Sequence, residues 1–145
     1  MLPVWKSRYS VNHTGLDAQH KELFRLAAQV YGLDASAATK ARISSLMQAF
    51  YAYIKNHFSE EEEYMRIIGY PKLEEHRKQH QEITASLNKI IKQSQSLKEI
   101  RVSMRMVVKL WLVNHILEHD MQYERWRKKE RHRKIQEADE EYEDI

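Results

Sequence analysis

The chain reads as an all-α protein, an antiparallel up-and-down four-helix bundle preceded by an N-terminal arm. Three observations carry that expectation. Apolar residues make up 42% of the 145 positions while Gly and Pro number only 3 and 2, which favours long helices over a turn-rich β fold. Four stretches repeat their apolar residues at helical spacing. The segments between them are short, and short connections force neighbouring helices antiparallel.

Residues 1–16 form an arm that contains Trp5 and Tyr9 and ends at Gly15. Asp17 is suited to cap a first helix spanning about 17–33. Its buried stripe is His20, Leu23, Phe24, Ala27 and Tyr31. Gly32-Leu33-Asp34-Ala35-Ser36 reads as a turn, and a second helix follows from about 38 to 68. Its stripe runs Ile43, Leu46, Met47, Phe50, Tyr53, Ile54, His57, Glu61, Met65, Ile68. Gly69-Tyr70-Pro71 is the sharpest punctuation, with Gly just past one helix and Pro at the first position of the next. The third helix, about 71–92, buries Leu73, His76, His80, Ile83, Leu87 and Ile90. After the polar Gln93-Ser94-Gln95-Ser96, the fourth begins near Leu97 and buries Ile100, Met104, Val107, Trp111 and His115. Met47, Met65, Met104 and Trp111 read as ordinary core.

Five histidines and a glutamate thus occupy positions where leucine is expected. Burying an unpaired polar group costs on the order of 2–7 kcal/mol, and a shared metal site removes that cost. With no cysteine in the chain, such a metal is held by nitrogen and oxygen alone. Glu61 and His57 lie shortly before Tyr70, and His76 and His80 lie at similar distances after it, so the hairpin brings them face to face. Each pair is spaced i, i+4, only about 40° apart around the helix axis. The fourth helix is less determinate. His115 lies on the stripe, but its oxygen partner is either Glu118 or Asp120, and an i+5 residue points about 140° away in an ideal α-helix. Of the remaining histidines, His13, His119 and His132, the decoy is His119, four residues after His115 and read as exposed. Glu60, Glu62 and Glu63 read as a solvated acidic face.

The segments His57-Phe58-Ser59-Glu60-Glu61-Glu62, Met65, Gly69-Tyr70-Pro71, His76-x-x-x-His80 and Trp111-Leu112-Val113-Asn114-His115-Ile116-x-x-x-Asp120 resemble the hemerythrins. Asp17-Ala-Gln-His20, with upstream Trp5 and Tyr9-Ser10-Val11, is similar to their bacterial branch. The resemblance covers about residues 5–123 and implies two iron ions joined by an oxo or hydroxo bridge. His76, His80 and His115 would bind one iron, His20 and His57 the other, and Glu61 and Asp120 would bridge them. It resolves the fourth-helix ambiguity in favour of Asp120. Two octahedral ions offer about twelve positions, and this set leaves one open, on the iron with two histidines. The resemblance implies that dioxygen binds there reversibly, within a pocket of Phe58, Trp111, Leu112 and Ile116.

The expected function is therefore non-enzymatic oxygen carriage, storage or delivery. One alternative is an O2 or redox sensor working through a separate partner. A di-iron oxidase or ferroxidase ranks behind, because ferritin-like enzymes pair E-x-x-H motifs and this chain has none. A zinc hydrolase ranks lower still, lacking H-E-x-x-H. The net charge of +3 gives no reason to expect nucleic acid. No apolar run approaches the ~18 residues of a membrane span and no signal segment is evident, so the expected location is cytoplasmic. The domain is read as 1–123, with a charged tail at 124–145. Seven Lys or Arg fall within 125–134, around Trp126, and six acids and no base within 137–144. The tail reads first as a solvated helical extension whose halves pair locally or with another chain, and alternatively as a docking strip for a protein partner, nucleic acid or a membrane surface.

Overall fold

The computed structural model describes residues 2–33, 40–93 and 96–143. Helix α1 spans Thr14–Tyr31, α2 Lys40–Ile68, α3 Leu73–Gln93 and α4 Leu97–Met106. Without a break, α4 passes through two π-helical stretches, Val107–Val113 and Ile116–Asp120, into α5, Met121–Glu143. The description contains no strand. The all-α expectation holds, with the fourth rod of the bundle built from α4, the π stretches and the start of α5. Parts of the expected turn at 32–36, the start of the second helix near 38, and Ser94–Gln95 lie outside the described residues. No described helix is long and apolar enough to cross a membrane.

Helix α2 packs against both α1 and α3, and α1 packs against α4. Cross-contacts run in opposite chain directions. Glu61 meets His76 and Phe58 meets His80 between α2 and α3. Arg101 reaches the carbonyls of Tyr31 and Leu33 at one end of α1, while His20 meets Asp120 nearer the other. The core falls into two apolar clusters. The larger includes Leu23, Phe24, Met47, Phe50, Ile54, Leu87 and Met104. The smaller joins Val11, Leu16, Met65, Tyr70 and Tyr123 near the α2–α3 turn.

Two helix starts differ from the sequence expectation. Helix α1 begins at Thr14, so Gly15 is helical, and its N-cap is His13, whose Nδ1 accepts from the Leu16 backbone N–H. Asp17 sits in the first turn and instead fastens the arm. Its carboxylate accepts from the Ser10 hydroxyl at 2.6 Å and from the Val11 N–H at 2.9 Å. The imidazole supplies the acceptor an N-cap needs, which leaves the carboxylate free to hold the arm over the bundle end. Tyr9 then stacks on Phe24, with ring centroids 5.9 Å apart. Helix α3 starts at Leu73, two residues after Pro71, which lies in the preceding turn.

The turn itself depends on Gly69. Its φ of +74° is left-handed, and the Tyr70 N–H returns to the Met65 carbonyl at 2.9 Å. A Cβ at Gly69 would touch nothing within 4 Å. Any penalty for Ala is therefore purely a backbone one, about 1–2 kcal/mol. Gly69→Ala is expected to lower the unfolding free energy by that amount, seen as a lower urea midpoint at an unchanged m-value in unfolding followed by circular dichroism.

Candidate metal centre

Between the two apolar clusters lies a polar layer. His20 from α1, His57 and Glu61 from α2, His76 and His80 from α3, and His115 and Asp120 from the fourth rod are all buried. The structure brings together all seven residues anticipated from sequence. Their potential ligand atoms form two groups: Glu61, His76, His80, His115 and Asp120, and His20, His57 and Glu61. Within each group the atoms lie within 4.8 Å of one another.

The two carboxylates divide their oxygens between these groups. Glu61 Oε1 lies 3.1 Å from His76 Nε2 and 2.9 Å from His80 Nε2. Its Oε2 lies 3.4 Å from His20 Nε2 and 3.6 Å from His57 Nε2. Asp120 repeats the arrangement. Its Oδ1 is 3.0 Å from His76 and 3.1 Å from His115, and its Oδ2 is 3.3 Å from His20. One side therefore gathers three imidazoles and the other two, with two carboxylates spanning the gap.

Asp120 reaches the layer because the helix changes its winding. An α-helix would turn Asp120 about 140° away from His115. A π-helix, with i→i+5 bonding and roughly 4.4 residues per turn, brings i+5 back to about 50°. The π stretch Ile116–Asp120 spans this interval. The burial pattern records the change. Val108, Leu112, Ile116, Asp120 and Glu124 are buried at every fourth position, whereas a 3.6-residue period would drift by about 40° at each step.

The buried polar atoms fit a bound cation better than they fit one another. His20 Nε2 and both Asp120 oxygens have no hydrogen-bond partner despite full burial, although they stand close together. The Nε2 atoms of His80 and His115 face each other at 3.1 Å. In the metal-free protein these groups depend on proton sharing. Burial opposes charge on His20 and His76, but the Asp120 and Glu61 carboxylates outweigh it and raise them to about 9 and about 10. Burial and the neighbouring His20 push His57 down to about 3. Burial also works against ionised Glu61 and Asp120, yet the imidazoles around them hold both well below the carboxylate range.

Several supporting residues were not anticipated. The His57 Nδ1–H donates to Gln19 Oε1 at 2.7 Å, leaving Nε2 directed at Glu61 with its lone pair free. Glu62 is half-buried, unlike the solvated face expected for it, with Oε2 3.5 Å from His80 Nδ1 and Oε1 accepting from Arg77 at 2.9 Å. Glu60 and Glu63 are exposed as expected. Tyr123 is fully buried and donates its hydroxyl to Glu61 Oε2 at 3.2 Å. Burial and the Glu61 charge hold its phenol well above the ordinary value, so it remains a donor. His119, expected to be exposed, is half-buried, with its ring 5.3 Å from that of His115 and 6.5 Å from that of His76. The wider winding of the fourth rod defeats a fixed-period reading of both Tyr123 and His119.

The residues expected around an open coordination position lie on the larger cluster. Phe58, Leu112 and Ile116 are buried, and Trp111 is half-buried against it. Phe58 stacks on His80 at 3.8 Å between centroids and lies 5.8 Å from His57. Helical packing also passes residue 123. Glu124 is buried, accepting from Asn12 and Arg127, and Trp126 packs edge-on to Tyr70.

The hemerythrin HHE cation binding domain family matches residues 12–126. A bacteriohemerythrin of Clostridium acetobutylicum is 31% identical over 130 residues, covering 83% of this chain and 97% of its own. A myohemerythrin of Theromyzon tessulatum is 32% identical over 119 residues, covering 82% and 88%. A bacteriohemerythrin of Campylobacter jejuni is 28% identical over 112 residues, covering 77% and 84%. Bundle, buried nitrogen–oxygen layer and sequence agree: this chain belongs to the hemerythrin family.

A pH dependence follows for the metal-free protein. His20 and His76 bind protons more tightly folded than unfolded, so their contribution is full below about 6.5 and lost as pH rises through about 9 to 10. His57 is depressed, so its contribution is present above about 6.5 and lost as pH falls towards about 3. The lowered carboxylates add to the loss in acid. Urea midpoints of chelator-treated protein should peak near neutrality and fall on both sides, and His20→Gln should flatten the alkaline limb.

Proposed function

We propose that the buried layer holds two iron ions and that the protein binds dioxygen reversibly as a carrier, store or delivery protein. The observation that carries this reading is the division of oxygens: Glu61 and Asp120 each turn one oxygen to a three-histidine side and the other to a two-histidine side. On this reading His76, His80 and His115 would hold one iron, His20 and His57 the other, and Glu61 and Asp120 would serve both. When bound, such a pair of irons would supply reversible two-electron exchange with dioxygen.

The chain's own residues then have separable tasks. Gln19 fixes the His57 ring so that Nε2 presents a lone pair. Glu62, held by Arg77, stands beside the outer nitrogen of His80. Tyr123 donates to Glu61 and damps its charge. Phe58, Trp111, Leu112 and Ile116 form the pocket wall. Leu112 and Ile116 carry no group able to give or take a proton, so they exclude water without adding acid–base chemistry. An apolar wall of this kind suits retention and release of dioxygen better than turnover.

The test is metal analysis combined with spectroscopy. Protein made in iron-replete medium should contain two irons per chain and show an absorption band that appears in air and disappears reversibly when O2 is removed. One zinc per chain, or steady O2 consumption with a reductant, would overturn the carrier reading. Glu61→Ala and Asp120→Ala should each lose most of the iron, because the imidazoles and the metal charge lose their counter-charge. Glu118→Ala and His119→Ala should retain it.

The pocket wall has its own readout. Leu112→Ala opens a path for water, so the O2-dependent band should decay several-fold faster in air at nearly unchanged iron content. The same change should cost about 2–5 kcal/mol of stability, as expected for truncating a buried leucine, measured by urea unfolding.

A further inference from the structure

Beyond Glu130 the last helix carries a surface that the bundle leaves uncovered. Residues 131–142 of α5 are all exposed. The basic run 125–134 and the acidic residues of 137–143 stand on this one rod, opposite in charge and adjacent in sequence. Ile135, Ala138 and Tyr142 share one helical face at i, i+3 and i+7. Ile135 is 50% and Tyr142 83% exposed. The strip borders a groove of about 550 Å³ between α2 and α5, lined by Ile67, Ile68, Trp126, Arg131 and Lys134 among others. Ile67, on its wall, is 69% exposed.

We propose that this groove is the interface for a second copy of the same chain, whose α5 extension lies antiparallel to the first about a twofold axis near Ile135. The order of charges selects the direction. Antiparallel helices set the basic run of each copy against the acidic run of the other, and parallel helices would oppose like charges. With the axis at Ile135, Arg131 comes level with Asp139 of the second copy and Lys129 with its Glu141. Tyr142 of the second copy comes level with Lys128, which shares the face of Ile135 one heptad earlier.

The pairing within the chain leaves these groups available. Arg133 already bridges Glu130 and Glu137, one turn to either side. Arg131 and Asp139 flank the apolar strip and make no ion pair among the described residues. The interface is isologous, so every contact occurs twice. The exposed helix is short, roughly 20 Å at 1.5 Å per residue. A contact of that length is below the size of permanent interfaces, and its charges are screened by salt. Association is therefore concentration-dependent and weakens at high salt.

Sedimentation velocity and light scattering on the full chain test this directly. At low ionic strength the molar mass should double as concentration rises, and it should return to the single-chain value in about 1 M salt, where screening is strong. Arg131→Glu and Asp139→Arg should each remain single-chain, with helicity and Tm unchanged. Mixed in equal amounts, the two variants should associate again, because each then offers the charge the other lacks. An unmodified chain that stays single at every concentration would overturn the proposal, as would a mixture that fails to associate. A single unmodified chain that instead binds vesicles rich in anionic lipid would overturn it in favour of a membrane surface.

Discussion

The bundle depends on two buried negative charges that no single helix can satisfy. Glu61 and Asp120 are fully enclosed, and their counter-charges come from imidazoles on every helix of the bundle. Removing an ion from water costs several kcal/mol unless partners surround it. The apolar clusters above and below the layer supply the burial, and the layer sets which faces of the four helices must meet. A core of leucine alone would allow helices to slide or rotate at small cost. Carboxylates that need a particular nitrogen at about 3 Å do not.

That constraint accounts for the irregularities of the fold. The fourth rod abandons α-helical winding where it must present His115 and Asp120 together. The N-terminal arm is held by Asp17 and, through Asn12, by Glu124 on the last helix. Asn12 adopts a left-handed φ of 54° to make that contact, a conformation asparagine tolerates better than most residues. The N-terminal arm and the start of the last helix thus close over the smaller cluster, where Tyr123 reaches Glu61.

Much of this was legible in the sequence, for reasons that can be named. Apolar periodicity located the helices, because burial on one face is what makes most helices stable. Six of the seven polar residues of the layer stand out as expensive exceptions to that periodicity. Asp120 was the instructive case. Ideal-helix geometry argued against it, and only the resemblance to a family selected it, because the π winding that brings it round is a tertiary adjustment. Glu62 and Tyr123 were missed for a related reason. Their roles depend on which neighbour stands opposite, Arg77 and His80 for one and Glu61 for the other, and a single helix's pattern does not contain that information. His13 displaced Asp17 as the helix cap because the arm offered the carboxylate two donors of its own.

The placement of the seven residues also sets an order of assembly. Four of them, His57, Glu61, His76 and His80, stand on α2 and α3, joined by the turn at Gly69. They meet as soon as that hairpin closes, and closing a short loop costs little entropy. His20, His115 and Asp120 arrive only when the outer helices close on it, and the clasp between Asn12 and Glu124 spans 112 positions of chain. Until then Glu61 lacks His20 and Tyr123, and Asp120 has no partner from α1 or α3. The layer is completed by contacts of long sequence separation, His20 with Asp120 among them, so its integrity certifies that the whole bundle has formed.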